Sequence, residues 1–143
     1  MIPVTVSVLF SVIFGWYYIY ANKKAKPATK YFVYFLLLTA LVEIIGAYAP
    51  IAYFSEYKYF SFVEGTLFEE NYWLYNIYAL ISFFIYVNYF KWHLENKLQR
   101  NLVSILLVLF VIGLIIDFSI SGNFFNGYSA FGDIAGTLLV LFS

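Results

Sequence analysis

The chain has 143 residues, of which 64% are hydrophobic and 11% charged, with a mean hydropathy of +0.82 and a formal net charge of zero. A water-soluble domain of this size needs a polar surface that this composition does not supply, and the balanced charge offers no basic face to nucleic acid. With no cysteine in the chain, disulfides, thiolate metal sites and cysteine nucleophiles are excluded together.

Met1-Ile2-Pro3 leads directly into apolar sequence without a positively charged n-region. The first run is therefore expected to be a retained span and not a cleaved signal peptide. Five apolar runs follow in order: 2–21, 31–53, 72–92, 102–120 and 131–143. Each of the first four is long enough, at about 1.5 Å per residue, to cross a hydrocarbon core roughly 30 Å thick. Barrel strands would be shorter and would alternate apolar with polar residues, whereas these runs are apolar on all sides. The fifth run reaches only about 20 Å as a helix. An apolar segment ending in mid-membrane is an odd natural terminus, so the natural protein is expected to continue past residue 143. The predicted fold is all-α: one transmembrane helical bundle with four complete spans and a partial fifth.

The connections set the orientation. Seven of the eight Lys and Arg residues lie in 23–30 and 91–100. Segment 22–30 carries Lys23, Lys24, Lys26 and Lys30 with no acid, and segment 91–101 carries Lys91, Lys97 and Arg100 against Glu95. The intervening segment 54–71 holds Glu56, Glu64, Glu69 and Glu70 with Lys58 alone, and 121–130 is uncharged. The positive-inside rule places both basic loops in the cytoplasm and the N-terminus outside, in what is expected to be a bacterial inner membrane.

Aromatic residues make up 24% of the chain. Trp16, Tyr17, Tyr18 and Tyr20 fall at the cytoplasmic end of the first span. Tyr89, Phe90 and Trp92 end the third span, and Tyr72 and Trp73 begin it. Amphipathic rings settle at headgroup level, so these residues read as interfacial belts in preference to a ligand cage. Segment 54–71 interleaves Tyr57, Tyr59, Phe60, Phe62 and Phe68 with charges. It is expected to lie on the outer interface, as an amphipathic helix or folded onto the bundle. Asn71 is placed to cap the third span, with Glu69 and Glu70 near its N-terminal dipole.

Glu43 is the first candidate for chemistry. It lies near the middle of the second span, where an ionised carboxylate costs roughly 2.5–3.5 kcal/mol on insertion scales and no Lys or Arg occupies a span core. It is expected to be protonated, hydrogen-bonded within the bundle, or paired with a group from another chain. Thr39, Ala40, Gly46, Ala47 and Pro50 share its helix face, a small-residue surface that admits a neighbouring helix. Pro50 cannot donate to the Gly46 carbonyl, which predicts a kink there. Asn76, Ala79, Ser82 and Tyr86 form a comparable stripe on the third span, so Glu43 is expected to hydrogen-bond Ser82 or Asn76. The carboxyl can then act as interhelical glue, as a proton or cation site, or as a contact for a partner subunit.

Asp117 and Asp133 flank the neutral turn and can share a proton or a cation, although two Asp residues alone are a weak metal signal against ordinary solvation. Gly132 and Gly136 form a GxxxG motif, which suggests close helix packing. His93 stands alone at the cytoplasmic boundary and has no second His to form a metal site. No metal site, cofactor or hydrolase motif is predicted.

The segments "LLLTALVEIIGAY" at 36–48, "NYWLYNIYALISFFIY" at 71–86 and "YSAFGDIAGTLLVLFS" at 128–143 resemble an uncharacterised family of small polytopic bacterial membrane proteins. The resemblance implies a bundle of about seven helices with an acid in span two, matched by Glu43, and often an acid in span three. Ser82 stands at that second position here, which departs from any paired-carboxylate arrangement. The leading functional expectation is a non-catalytic accessory subunit or anchor, with the lipid bilayer and other membrane subunits or further copies of itself as partners. The alternatives are a proton- or cation-linked channel or transporter centred on Glu43, and a membrane-embedded sensor or defence effector.

Overall fold

The computed structural model describes residues 2–142. It is built from helices, with no strand among the described residues: α1 (Ile2–Ala21), α2 (Pro27–Gly46), α3 (Tyr48–Phe54), a 3-10 turn (Ser61–Val63), α4 (Tyr72–Lys91), α5 (Lys97–Ser121), α6 (Asn123–Asn126) and α7 (Ala130–Phe142). Among the described residues three helical segments are long and apolar enough to cross a membrane: Pro27–Phe54, Tyr72–Lys91 and Lys97–Ser121. The apolar stretch Thr5–Ala21 of α1 is shorter.

The helix ends follow local chemistry. α2 starts on Pro27, whose missing N–H falls where a helix has no partner for it. It ends at Gly46 and α3 begins at Tyr48, a break four residues before the proline that the Gly46 carbonyl would need as a donor. α5 is capped by Asn96, whose side chain accepts from the Leu98 N–H at 2.8 Å, and it closes on Gly122 in the left-handed region at φ 67°. α3 closes differently. The Tyr57 N–H reaches the Ala52 carbonyl at 2.8 Å and the Glu56 N–H reaches Tyr53 at 3.1 Å, the paired bonds of a Schellman motif. Glu56 takes the left-handed position, at φ 53°, where glycine is the usual occupant.

The chain forms two compact units, Met1–Ala47 and Tyr48–Ser143, divided at the break before Pro50. In the first, α1 packs along α2. The closest approach is at Gly15, where an added Cβ would stand 2.8 Å from Val33 Cγ2. In the second, α4, α5 and α7 pack on one another with α6 against α4 and α5. The core of this second unit holds Val87, Val103 and Leu107 with Phe83, Leu94 and Val111 around them. Phe110 bridges Phe83 and Phe131, with ring centroids 4.6 and 6.2 Å away.

α5 shows how these helices meet their surroundings. Val103, Leu107, Phe110 and Leu114 are buried on one stripe. Leu102, Ile105, Leu109, Ile112 and Ile116 are about half exposed around the rest of the cylinder. An apolar surface of that extent is tolerated in lipid or against another protein, not in water.

Candidate functional sites

Glu43 belongs to the first unit, and Asn76 and Ser82 belong to the second. In its own unit the Glu43 carboxylate has one described partner, the Thr5 hydroxyl of α1, at a long 3.5 Å. Glu43 is half-buried, and Val42 and Gly46 beside it are buried. Thr39, one turn earlier, returns its hydroxyl to the Phe35 carbonyl at 3.0 Å and so satisfies itself within α2. α1 therefore supplies a polar neighbour that reading the second and third apolar runs alone did not suggest. Thr5 lies 38 positions away in sequence, and no local pattern points to it.

Asn76 is 4% exposed. Its amide nitrogen donates to the Phe124 and Gly127 carbonyls, both at 2.9 Å, and leans toward the Asn123 carbonyl at 3.4 Å. These carbonyls belong to the α6 turn and its C-cap; that of Asn123 also accepts from the Gly127 N–H at 2.9 Å, and those of Phe124 and Gly127 lie where the short turn has no following helical turn to accept from. One side chain on α4 thus closes the backbone of the α5–α7 connection. Ser82, one face further along α4, is 7% exposed, and its hydroxyl finds no hydrogen-bond partner among the described residues.

Asp117 Oδ2 accepts from the Ser129 hydroxyl at 2.5 Å, and Ser129 Oγ in turn accepts from the Gly132 N–H at 2.8 Å. Ser129 is 5% exposed and stands immediately before α7, so it is the N-cap of that helix. Asp133 lies exposed in the first turn of α7, where a negative charge suits the helix dipole. Asp117 therefore anchors a helix start through a serine. A serine just before an apolar helical run is itself a sequence signal for an N-cap, and it was the legible clue to this arrangement. Among the described residues no group of three His, Asp or Glu side chains converges.

The two glycines of the GxxxG motif face neighbours within the same unit. An added Cβ at Gly132 would stand 2.9 Å from Leu114 Cδ2 of α5, and one at Gly136 would overlap the Phe83 ring of α4. Gly113 on α5 is similarly closed by the Phe131 ring of α7. Ring and aliphatic packing fills the space a side chain would need, so the three helices approach closely.

Segment 54–71 is folded into a tight cap of turns, with Glu56, Tyr57 and Phe60 at positive φ. Tyr48 donates toward the Phe68 and Glu70 carbonyls at 2.7 and 3.0 Å and accepts from Trp73 Nε1 at 3.0 Å. Phe68 packs edge-on against Trp73 and Phe125, and Val63 is buried at 4% exposure. Glu69 does not serve the dipole of α4. Its two oxygens accept from the Tyr57 hydroxyl at 2.5 Å and the Gly65 N–H at 2.9 Å. Those bonds hold the carboxyl below its usual range. The same bond to Glu69, with partial burial and the charges of Glu69, Glu70 and Glu64, pushes the Tyr57 phenol up to about 12. Asn71 occupies the N-cap of α4, but its side chain makes no capping hydrogen bond.

On the first unit, α1 and α2 border an open apolar cleft of about 550 Å³, lined by Val12, Ile13, Trp16, Tyr17, Tyr20 and Leu37. Trp16 meets Tyr34 of α2 edge-on at 6.1 Å between centroids. The chain matches no protein-family model, no curated protein and no solved structure.

Proposed function

We propose that the chain is a non-catalytic, multi-pass inner-membrane protein that serves as an accessory subunit or anchor. Four complete spans and part of a fifth cross the bilayer, the N-terminus lies outside, and segments 22–30 and 91–101 lie in the cytoplasm. The observation that carries this reading is the use the second unit makes of Asn76 and Asp117. Asn76 donates to the Phe124 and Gly127 carbonyls, and Asp117 accepts from the Ser129 hydroxyl that caps α7, so both side chains hold segments of the unit together. The half-exposed aliphatic surface of α5 supports contact with lipid or with neighbouring helices. The alternating basic, acidic, basic and neutral loops support the orientation.

Purification of the protein from its native membrane in mild detergent, with mass spectrometry of what accompanies it, tests the reading. Stoichiometric partner chains are expected, and Glu43→Gln should leave that complex intact. Recovery of the chain alone would sink the subunit reading.

A second reading rests on Glu43. This mid-span carboxylate has only one long described partner, which leaves it open to exchange a proton or meet a cation. On that reading, liposomes carrying the protein show a proton or cation flux that Glu43→Gln abolishes while the fold is kept.

A further inference from the structure

We infer that the cleft between α1 and α2 is a binding site for an anionic phospholipid, with an acyl chain in the cleft and the phosphate headgroup on the lysines of the 22–30 turn. The inference goes beyond the subunit reading and rests only on its premise that the chain is embedded in a bilayer.

Three features converge. The cleft is an open, apolar trough of about 550 Å³, walled by Val12, Ile13 and Leu37 at its deeper end and by Trp16, Tyr17 and Tyr20 toward the end of α1. From Val12 to Tyr20 the helix rises about 12 Å, the length of a substantial part of an acyl chain. The aromatic end is the end that meets the turn, and Trp and Tyr rings belong at the level of the glycerol and headgroup. The turn then presents Lys23, Lys24, Lys26 and Lys30 with no acid among them. Lys23, Lys24 and Lys26 are exposed and Lys30 is half-buried. Apolar trough, aromatic rim and cationic collar therefore follow one another along one helix pair, in the order of an acyl chain, glycerol and phosphate.

The charge selects the occupant. A zwitterionic lipid would fill the trough equally well but would gain little from four ammonium groups, whereas each lysine near a membrane surface favours an anionic headgroup. A second protein chain seated in the trough would leave those four charges unanswered unless it brought acids of its own. The two close contacts that hold the trough's walls, Gly15 on Val33 and Trp16 on Tyr34, leave the trough itself open.

The test uses the full chain in vesicles of equal parts phosphatidylglycerol and phosphatidylcholine, with one or the other carrying brominated acyl chains, which quench tryptophan on contact. Trp73→Phe and Trp92→Phe together leave Trp16 as the reporter. The expected result is quenching by brominated phosphatidylglycerol that corresponds to about a tenfold preference over phosphatidylcholine, weakening as salt is raised. Lys23→Gln with Lys24→Gln should cut the preference severalfold, and Val12→Phe, which fills the trough, should do the same with the lysines intact.

Equal quenching by both lipids would overturn the site. A preference that survives Val12→Phe would also overturn it, because surface attraction to the lysines would then suffice without the trough. Quenching by neither lipid would mean that Trp16 is covered by protein or that the chain is not embedded. Accessibility of Ile105→Cys on α5 to the same lipids separates those two cases, and either one removes the proposal. Should the double tryptophan variant fail to fold, native mass spectrometry of the unaltered chain and of Val12→Phe gives the same comparison as retained phosphatidylglycerol per protein.

Discussion

Asn76 and Glu43 are both polar side chains set into apolar helices, and they are used in opposite ways. Asn76 is almost fully buried and delivers its amide to carbonyls that no helix turn would satisfy. Glu43 is half-buried and, among the described residues, accepts from the Thr5 hydroxyl at the limit of hydrogen-bond distance. A buried amide with well-placed acceptors is a structural clasp, since unmaking it strands several groups at once. A carboxylate with one long contact holds little of the fold together and remains available to a proton, an ion or another chain. The second unit thus commits Asn76 to its own architecture, and the first unit leaves its carboxylate largely uncommitted.

The largest expected effect that would break this contrast is at Asn76. Asn76→Ala leaves the Phe124 and Gly127 carbonyls without this donor and is expected to destabilise the fold by about 2–3 kcal/mol, read from equilibrium unfolding in mixed micelles. A loss no greater than that of Glu43→Gln would erase the distinction. Gly136→Ala comes next, because its methyl group would meet the Phe83 ring, itself packed on Phe110. A cost of about 1–3 kcal/mol is expected, and Phe83→Leu in the same chain should recover part of it.

Ser129→Ala removes both the cap of α7 and the tether to Asp117, and about 1 kcal/mol is expected from the same measurement. Asp117→Asn, which keeps an acceptor for the Ser129 hydroxyl, should cost less. Glu43→Gln is expected to change stability by less than about 0.6 kcal/mol. A larger loss would move Glu43 into the company of Asn76.

The 54–71 cap sharpens the comparison from another side, since its carboxylate, half-buried like that of Glu43, is committed to two hydrogen bonds. The folded pKa of Glu69 is lowered, so its contribution is present above the ordinary carboxylate range and is lost as pH falls through the lower folded value. The Tyr57 phenol is raised to about 12, so its contribution is present below its ordinary value and is lost as pH rises through that higher one. Between those limits the cap should hold one conformation. The fluorescence of Trp73, joined to the cap through Tyr48, should stay flat from about pH 5 to 9 and change outside it. Glu69→Gln should make the acid-side change disappear.

Much of the architecture can be read along the chain, because helix formation and membrane-spanning length depend on residues that are near one another. Runs of apolar residues, Pro27 at a helix start, Gly122 at a helix end and Pro50 four residues past a break are all local signals. The helices extend past the apolar runs where polar residues continue the same backbone. α2 begins at Pro27, ahead of the run that starts at Tyr31, and α5 begins at Lys97, ahead of Leu102. Hydropathy marks the part of a helix that suits lipid, not the whole helix. Segment 54–71 takes the second of its two expected forms, folded onto its own unit. Its aromatic and charged residues alternate as on an amphipathic surface, yet Glu56, Tyr57 and Phe60 at positive φ fold it into turns.

By itself, then, the sequence determined that this protein is all-helical, that it carries helices fit for a bilayer, and which residues had to be explained because they are polar within them. Tertiary structure alone decided what those residues do. Asn76 meets carbonyls 47 to 51 positions away, Glu43 meets a hydroxyl 38 positions away, and Asp117 accepts from a serine around a turn. Helix periodicity specifies which face of its own helix a side chain occupies, but the partner across the gap depends on how separate helices pack, and no local pattern encodes that.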